Sequence, residues 1–234
     1  MECPHTKIES ALDRWTECHW HIHQIENSYH TPDLFRYSLN SFIRAIKEIP
    51  QILKMELQNE PQYQSKFKPL IDSLKKNDLM SKLSKKRDFI VHRGMLEVES
   101  KGQICTTEGR RIKFSFPMRV FPYETTEEAY QRFKSICKED KSFRRLAGPD
   151  CDSWPMIRRE WKIPDFPDVE LLELSIDAWK IAGDVISKII LIYGGEELDL
   201  SFSCRHDPED VKTVHFDATE FFMSVDGIDI KSNN

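Results

Sequence analysis

The stretch from Ile8 to Tyr29, IESALDRWTECHWHIHQIENSY, decides the fold class of this 234-residue chain. Its apolar side chains recur at three- and four-residue steps, at Ile8, Leu12, Trp15, Cys18, Ile22, Ile25 and Tyr29. Because an α-helix has about 3.6 residues per turn, this spacing places them on one helical face. The stretch therefore predicts an amphipathic helix whose apolar face packs against other helices.

Three further segments before residue 100 continue the helical period. The first begins with Thr31 as N-cap and Pro32 at the first helical position, and it contains Pro50, where we expect a kink or a break. A shorter helix follows from about Pro61, and another runs from Leu79 to about His92. Together with the first helix, these segments predict a helical bundle.

Residues 101–166 show a different pattern and predict a small α/β insertion. Apolar residues alternate with polar residues over 112–116, which is typical of a strand. A short helix is expected over 125–137. The stretch 148–167 contains four prolines and two tryptophans, which favours an ordered loop whose aromatic rings are buried.

The C-terminal third of the chain begins with a long predicted helix from about Pro167 to Tyr193, and Gly194–Gly195 ends it. Apolar residues then alternate with polar ones over 198–204 and again at 214–216. This alternation predicts a β hairpin followed by a polar tail.

These segments together predict a mainly α fold. The expected helical bundle comprises residues 1–100 and 167–194, the α/β insertion comprises 101–166, and a short β segment lies within 195–234. Glycine contributes only 8 of the 234 residues, which argues against a turn-rich all-β fold or a glycine-rich phosphate loop.

The charge of the chain is unevenly spread. The whole sequence has a formal net charge of −5, whereas the segment from Lys66 to Arg119 contains 14 Lys or Arg residues and 6 Asp or Glu residues. That segment therefore has a net charge of +8, and the remainder has −13. A basic segment in an acidic protein is compatible with a polyanion site on one face, and equally with ion pairs between segments.

Hydropathy and cysteine spacing indicate the cellular compartment that we expect for the protein. No stretch approaches the roughly 18 consecutive apolar residues of a membrane span, and the N-terminus lacks the features of a signal peptide. Six scattered cysteines without a close pair indicate reduced thiols rather than a disulfide framework. We therefore expect a soluble, cytoplasmic protein with no membrane partner.

Histidines are concentrated at His19, His21 and His23, close to Glu26. His19 and His23 are four residues apart and lie on one helical face, as in zinc-binding helices. A third ligand at matching spacing is missing, however, and Trp20 occupies the position where metalloproteases have an acidic residue. A partly exposed helix face is therefore the default interpretation, and we predict no metal and no cofactor.

Three arginine pairs in the predicted insertion are candidate contacts to RNA. Such pairs are more often solvated or paired with neighbouring acids, so this interpretation is the weaker one. The pairs are Arg110–Arg111, Arg144–Arg145 and Arg158–Arg159.

Arg87 is the anomaly in the helix predicted from Leu79, which Asn77–Asp78 precedes as a cap. At about 100° per residue, Arg87 falls inside the arc formed by Leu79, Leu83 and other apolar residues. An unpaired guanidinium there costs several kcal/mol of desolvation free energy, on the order estimated for buried charges. Arg87 must therefore face an acid, a helix end, a ligand anion or another subunit.

The run Arg87-Asp88-Phe89-Ile90-Val91-His92 resembles the signature of the HEPN superfamily (higher eukaryotes and prokaryotes nucleotide-binding). In that signature an Arg, usually followed by a polar residue, precedes a His by four to six intervening residues. The stretch Leu34–Phe42, LFRYSLNSF, also resembles the second helix of bacterial HEPN-like proteins. The resemblance covers residues 1 to about 100, and the helix of 167–194 would complete a HEPN-like bundle.

The resemblance implies a metal-independent endoribonuclease that acts as a homodimer with a composite active site at the subunit interface. Cleavage proceeds by attack of the ribose 2′-OH on the adjacent phosphate, which requires a proton acceptor, a proton donor and stabilisation of phosphorane charge. The implied roles are acid and base for His92, phosphate stabilisation for Arg87, and orientation for Asp88. Less specific contacts to the RNA backbone are expected from Lys85, Lys86 and Arg93.

Within this family, the expected role is that of a prokaryotic toxin or defence effector, with an antitoxin or a defence-system protein as a possible partner. The alternative is a non-catalytic HEPN-like module that binds RNA, nucleotide or a protein, because many members of the family are not enzymes. A helical scaffold whose insertion recognises another protein is a third hypothesis.

Overall fold

The computed structural model describes residues 4–92, 96–108, 111–140 and 154–226, and leaves out the side chains of a few of these, among them 89–92. The described residues form two compact units. The helical unit takes residues from 1–28, 34–97 and 169–205, and the sheet unit takes residues from 29–33, 98–168 and 206–234.

The helical unit is formed by long helices whose apolar faces were visible in the sequence. These helices are α1 (Glu9–Asn27), α2 (Pro32–Leu57), α3 (Lys68–Lys76), α4 (Asp78–His92) and α6 (Leu171–Ile192). The helix between α4 and α6 in the chain, α5 (Thr126–Glu139), belongs to the sheet unit. A short 3₁₀ turn at Pro4–Ile8 and a π turn at Tyr63–Phe67 complete the regular structure here. Fully buried side chains of the core include Ile22, Ile25, Phe42, Ile46, Ile186 and Ile189.

Helices α1 and α6 are joined by a reciprocal pair of tryptophans. The rings of Trp15 and Trp179 stack with centroids 4.5 Å apart. Each indole N–H donates to the backbone carbonyl of the other residue, at 3.0 Å and 3.2 Å. The pair satisfies both indole donors while burying their apolar surface, which is the favourable arrangement for tryptophan in a core.

Helix α2 continues through Pro50. We expected a kink or a break there, and the helix is not broken, because it runs from Pro32 to Leu57. A proline inside a helix removes one backbone hydrogen bond and costs about 3 kcal/mol or more. The fully buried neighbours Ile46, Ile49 and Leu53 offset this cost, because they bury apolar surface on both sides of the proline.

The sheet unit contains a four-stranded antiparallel sheet in the order β2-β1-β3-β4. Its strands are β1 (Glu99–Glu108), β2 (Arg111–Met118), β3 (Trp154–Lys162) and β4 (Thr213–His215). The helices of this unit are α5 (Thr126–Glu139), α7 (Pro208–Lys212) and α8 (Ala218–Asp226). Their core includes Ile104, Tyr130, Phe133, Ile157 and Phe221. The expected strand over 112–116 and helix over 125–137 are both present.

Strand β3 corrects the loop predicted over 148–167. Ile157, Arg159, Trp161 and Ile163 are all fully buried, so the strand has the alternation of a half-buried sheet. The alternation was hidden in the sequence because one of the buried positions is an arginine. Prolines at the edges of this segment reinforced the prediction of a loop.

The predicted C-terminal hairpin is also wrong. Residues 195–207 form neither a helix nor a strand, and Val214 of β4 pairs with Ile157 of β3. The alternating apolar residues of 198–204 instead pack on the helical unit. A Cβ atom at Gly183 of α6 would lie 2.6 Å from Leu200 Cδ2, so only glycine permits this close approach. The coarse prediction of a mainly helical protein with a small sheet is confirmed.

No helix among the described residues combines the length and the apolar character required to cross a membrane.

Candidate functional site

Helix α4 holds most of the residues that the sequence singled out. Asn77 accepts a hydrogen bond from the Met80 backbone N–H at 3.2 Å through its side-chain oxygen, which is the predicted cap. Met80 and Leu83 are buried against the core of the helical unit. This packing orients the opposite face of the helix outward.

Arg87 and Asp88 lie together on α4 beside Lys47 of α2. An Arg87 Nη atom donates to Asp88 Oδ1 at 3.3 Å, and the ammonium group of Lys47 makes a close ion pair with the same oxygen. The hydrogen bond from Lys47 lowers the pKa of Asp88, and Arg87 lowers it further. The acid that Arg87 faces is therefore its own neighbour in the chain.

One part of the Arg87 guanidinium has no partner among the side chains that the structure describes. Its Nε atom is buried and makes no hydrogen bond to any residue that the structure describes. The side chain as a whole is 30% exposed, so its outer nitrogens reach the surface. The exposed part of the guanidinium retains hydrogen-bonding capacity for a ligand.

The structure does not describe the side chains of two residues that the sequence singled out together with Arg87. His92 is the last residue of α4, but its side chain lies outside the described part of the structure, as does the whole of Arg93. Position 92 follows Asp88 by one helical turn and therefore lies on the same face of the helix. Lys85 is exposed and Lys86 is partly exposed.

A groove of about 450 Å³ lies between α2, α3 and α4, on the side of α4 that carries Lys85. Its polar lining includes three lysines from three different helices and two serine hydroxyls from α4. Its apolar lining includes Pro50, Leu74 and Met80. The full lining is Lys47, Pro50, Gln51, Leu74, Lys75, Met80, Ser81, Ser84 and Lys85. The groove is therefore cationic and open to solvent.

A second cluster consists of His19, His23 and Cys204, whose nearest donor atoms all lie within 4.8 Å of one another. Burial lowers the pKa of His19, and the neighbouring His23 lowers it further. The sequence has no third ligand at matching spacing, but the fold brings the distant Cys204 beside the two histidines. The cysteine is 181 residues from His23 in the chain, so no local spacing could have identified it.

Arg158 and Arg159 both have partners within the fold. Arg159 is fully buried, and Arg158 forms ion pairs with Glu160 at 2.6 Å and Glu209 at 2.9 Å. Arg144–Arg145 and Arg110 lie outside the described residues, as does the side chain of Arg111.

In a comparison with protein families, the family model described as bacteriophage lambda protein ea47 matches residues 1–180. Neither curated proteins nor solved structures match the chain. The predicted membership of the HEPN superfamily is therefore wrong, because the model that matches is that of another family. An Arg and a His at this spacing and one short helical run were too little sequence to identify a family.

Proposed function

The chain belongs to the family of bacteriophage lambda protein ea47, and from the cationic groove of its helical unit we propose that it binds RNA. The observation that carries the proposal is the convergence of Lys47, Lys75 and Lys85 on one open groove. These lysines come from α2, α3 and α4, so the positive charge depends on the tertiary fold.

The chemistry of the groove suits a nucleic-acid backbone. Ammonium groups attract phosphates without reading base sequence, and binding releases condensed counterions. The hydroxyls of Ser81 and Ser84 are able to donate to phosphate oxygens or to pair with ribose 2′-hydroxyls.

Asp88, which contacts Lys47, does not cancel this charge. It pairs with Lys47, which leaves Lys75 and Lys85 as further cations in the same groove. A phosphate that approaches Lys47 competes with one carboxylate that is exposed to solvent. Such exposed pairs contribute only about 0–1 kcal/mol, so this competition is weak.

Cleavage of the bound RNA is a more specific function than binding. The family resemblance that implied cleavage is overturned, so this hypothesis now depends on the chemistry of Arg87 and His92 alone. The side chain of Arg87 is 30% exposed and bonds Asp88, so its exposed part is able to contact an anion. The homodimer, the antitoxin or defence-system partner and the cytoplasmic location stay predictions.

Binding is tested with a fluorescently labelled single-stranded RNA and anisotropy. We expect the wild-type protein to bind, and the triple variant Lys47→Ala, Lys75→Ala, Lys85→Ala to bind roughly tenfold or more weakly. The matched control is Lys54→Ala, Lys180→Ala, Lys188→Ala, which removes the same charge from the same unit but outside the groove. Circular dichroism checks that both variants remain folded. Equal weakening in both variants would contradict a site in the groove.

Cleavage is tested in excess EDTA on the same RNA. Fragments with 2′,3′-cyclic phosphate ends that disappear in both His92→Ala and Arg87→Ala would support the ribonuclease. Intact RNA in every preparation, with binding retained by the wild type, would establish the binding module and exclude the nuclease.

A further inference from the structure

The donor atoms of His19, His23 and Cys204 converge on one point. The Cys204 Sγ atom lies 3.0 Å from His19 Nε2 and 3.3 Å from His23 Nε2. In a tetrahedral zinc site, bond lengths of about 2.0–2.1 Å to nitrogen and 2.3 Å to sulfur place such N and S atoms roughly 3.6 Å apart. Small side-chain adjustments therefore suffice to accept an ion.

The two histidine rings are held in place by aromatic neighbours. His19 and His23 are one turn apart on α1, and His23 stacks on Phe202 with ring centroids 5.5 Å apart. His19 and Phe202 are in a T-shaped arrangement with ring centroids 4.9 Å apart. The centroids of His19 and Trp179 are 5.4 Å apart. Rings packed in this way have few rotamers available, which preorganises the donors.

The segment that carries Cys204 is fixed on both sides of the cysteine. Leu198 donates its backbone N–H to Ser187 Oγ at 3.0 Å, and Arg205 bonds both carboxylate oxygens of Glu173 at 2.8 Å and 3.4 Å. Phe202 has a φ angle of 52°, in the left-handed region that a bulky residue rarely adopts. Backbone strain of this kind persists where surrounding contacts enforce it, often at functional sites.

Glu26 supplies the support that metal-binding histidines require. Its carboxylate accepts a hydrogen bond from His23 Nδ1–H at 2.7 Å, and its side chain is only 1% exposed. A proton on Nδ1 leaves the lone pair on Nε2, the atom that faces Cys204. A carboxylate behind a histidine ligand is the usual outer shell of a zinc site.

We propose that His19, His23 and Cys204 bind one divalent transition-metal ion of the zinc class, with Glu26 as the orienting carboxylate. One thiolate and two imidazoles are ligands that such ions prefer. Binding replaces the thiol proton by the metal and releases that proton to solvent. Cys204 is exposed, so the fourth position is open to water or to an external ligand.

A reactive thiol is the competing interpretation, because Cys204, His23 and Glu26 also have the order of a nucleophile, a base and an orienting acid. The second imidazole decides between the two. A nucleophile requires one base, whereas here the Nε2 atoms of His19 and His23 both face the same sulfur. Three convergent donors indicate a metal site.

The test is a titration of the EDTA-treated full chain with Co²⁺, followed by absorption spectroscopy. We expect one ion per chain and a thiolate-to-cobalt charge-transfer band, which Zn²⁺ abolishes by displacement. Cys204→Ser should lose the band, and Glu26→Gln should weaken binding by about 10- to 100-fold. The control His215→Ala replaces an exposed histidine of the sheet unit and should bind as the wild type does.

Alkylation of Cys204 provides a second readout that does not depend on RNA. Zn²⁺ should protect Cys204 from iodoacetamide in the wild type, and His19→Ala should remove the protection. Absence of a cobalt band, or a band that survives Cys204→Ser, would overturn the proposal. Rapid alkylation that Zn²⁺ does not slow would overturn it in favour of the reactive thiol.

Discussion

Arg159 in the sheet unit and Arg87 in the helical unit are both arginines at positions that a sequence pattern marks as apolar, but their surroundings differ. Arg159 is fully buried, and its nitrogens donate to Ser100 Oγ and to the carbonyls of Glu124 and Phe121, at 2.9, 2.7 and 3.0 Å. Its guanidinium also lies 3.8 Å from the ring centre of Trp161. Arg87 bonds only the adjacent Asp88 among the described residues and keeps an unpartnered Nε.

The difference shows how a structural arginine is distinguished from one available to a ligand. Burial lowers the pKa of Arg159 to about 10, so the group remains charged at neutral pH and must be paired. Its carbonyl and hydroxyl partners meet that requirement within the fold. Arg87 has fewer hydrogen-bond partners among the described residues, so part of its hydrogen-bonding capacity is left for an anion.

The largest expected effect is on Arg159. Arg159→Leu should lower the free energy of unfolding by about 3–5 kcal/mol, because it leaves two buried carbonyls and a hydroxyl without their donor. Urea denaturation followed by fluorescence measures this change. If the variant does not fold, Arg159→Lys provides the milder comparison, since it keeps the charge but loses the forked geometry. A loss below about 1 kcal/mol in both would contradict a structural role.

An intermediate effect is expected at His30 of the sheet unit, which donates Nε2–H to the Val211 carbonyl at 2.8 Å and accepts from Thr126 Oγ1 at Nδ1, also at 2.8 Å. Burial, aided by the charge of Arg159, lowers the pKa of His30 to about 4. The unfolded chain, with an ordinary pKa near 6.5, therefore binds the proton more readily. Stability should fall by about 3 kcal/mol as the pH drops from 6.5 to 4, and change little from this group above 6.5.

Denaturation at several pH values checks this prediction against His30→Gln. The variant has no group that titrates at this position, so its stability should depend less steeply on pH in that interval. Parallel profiles for the two proteins would show that His30 is not the group responsible.

The smallest effect on stability is expected at Arg87. Arg87→Leu should change the free energy of unfolding by no more than about 0.5 kcal/mol, because the side chain is partly exposed and its one acid is also paired with Lys47. The same variant should weaken RNA binding measurably. A large destabilisation without any effect on RNA would reverse the comparison and make Arg87 the structural residue.

Local patterns predicted the helices well, because the period and the cap of a helix lie within a few residues. Asn77 caps α4 as expected, and Cys18, Ile22 and Ile25 of α1 are fully buried. Strand β3 was missed because Arg159 interrupts its apolar alternation, although three hydrogen bonds hold the guanidinium within the fold. The alternation at 198–204 was real but reflected packing on α6 rather than a strand.

The candidate site was only partly predictable, because some of its residues come together only through the tertiary fold. Lys85 and Arg87 belong to a recognisable basic segment, whereas Lys47 joins them from another helix through the tertiary fold. Cys204 meets His19 and His23 across most of the chain. Contacts between residues so distant in sequence leave no periodic signal in a single chain.

The dependence of RNA affinity on salt tests the central claim most directly. For single strands, each neutralised phosphate contributes about 0.7 to the slope of log K against log salt. The wild-type slope should therefore exceed that of the Lys47, Lys75, Lys85 triple variant by about 2 in magnitude, whereas the Lys54, Lys180, Lys188 control should match the wild type. Equal slopes for the wild type and the groove variant would contradict an RNA-binding groove between α2, α3 and α4.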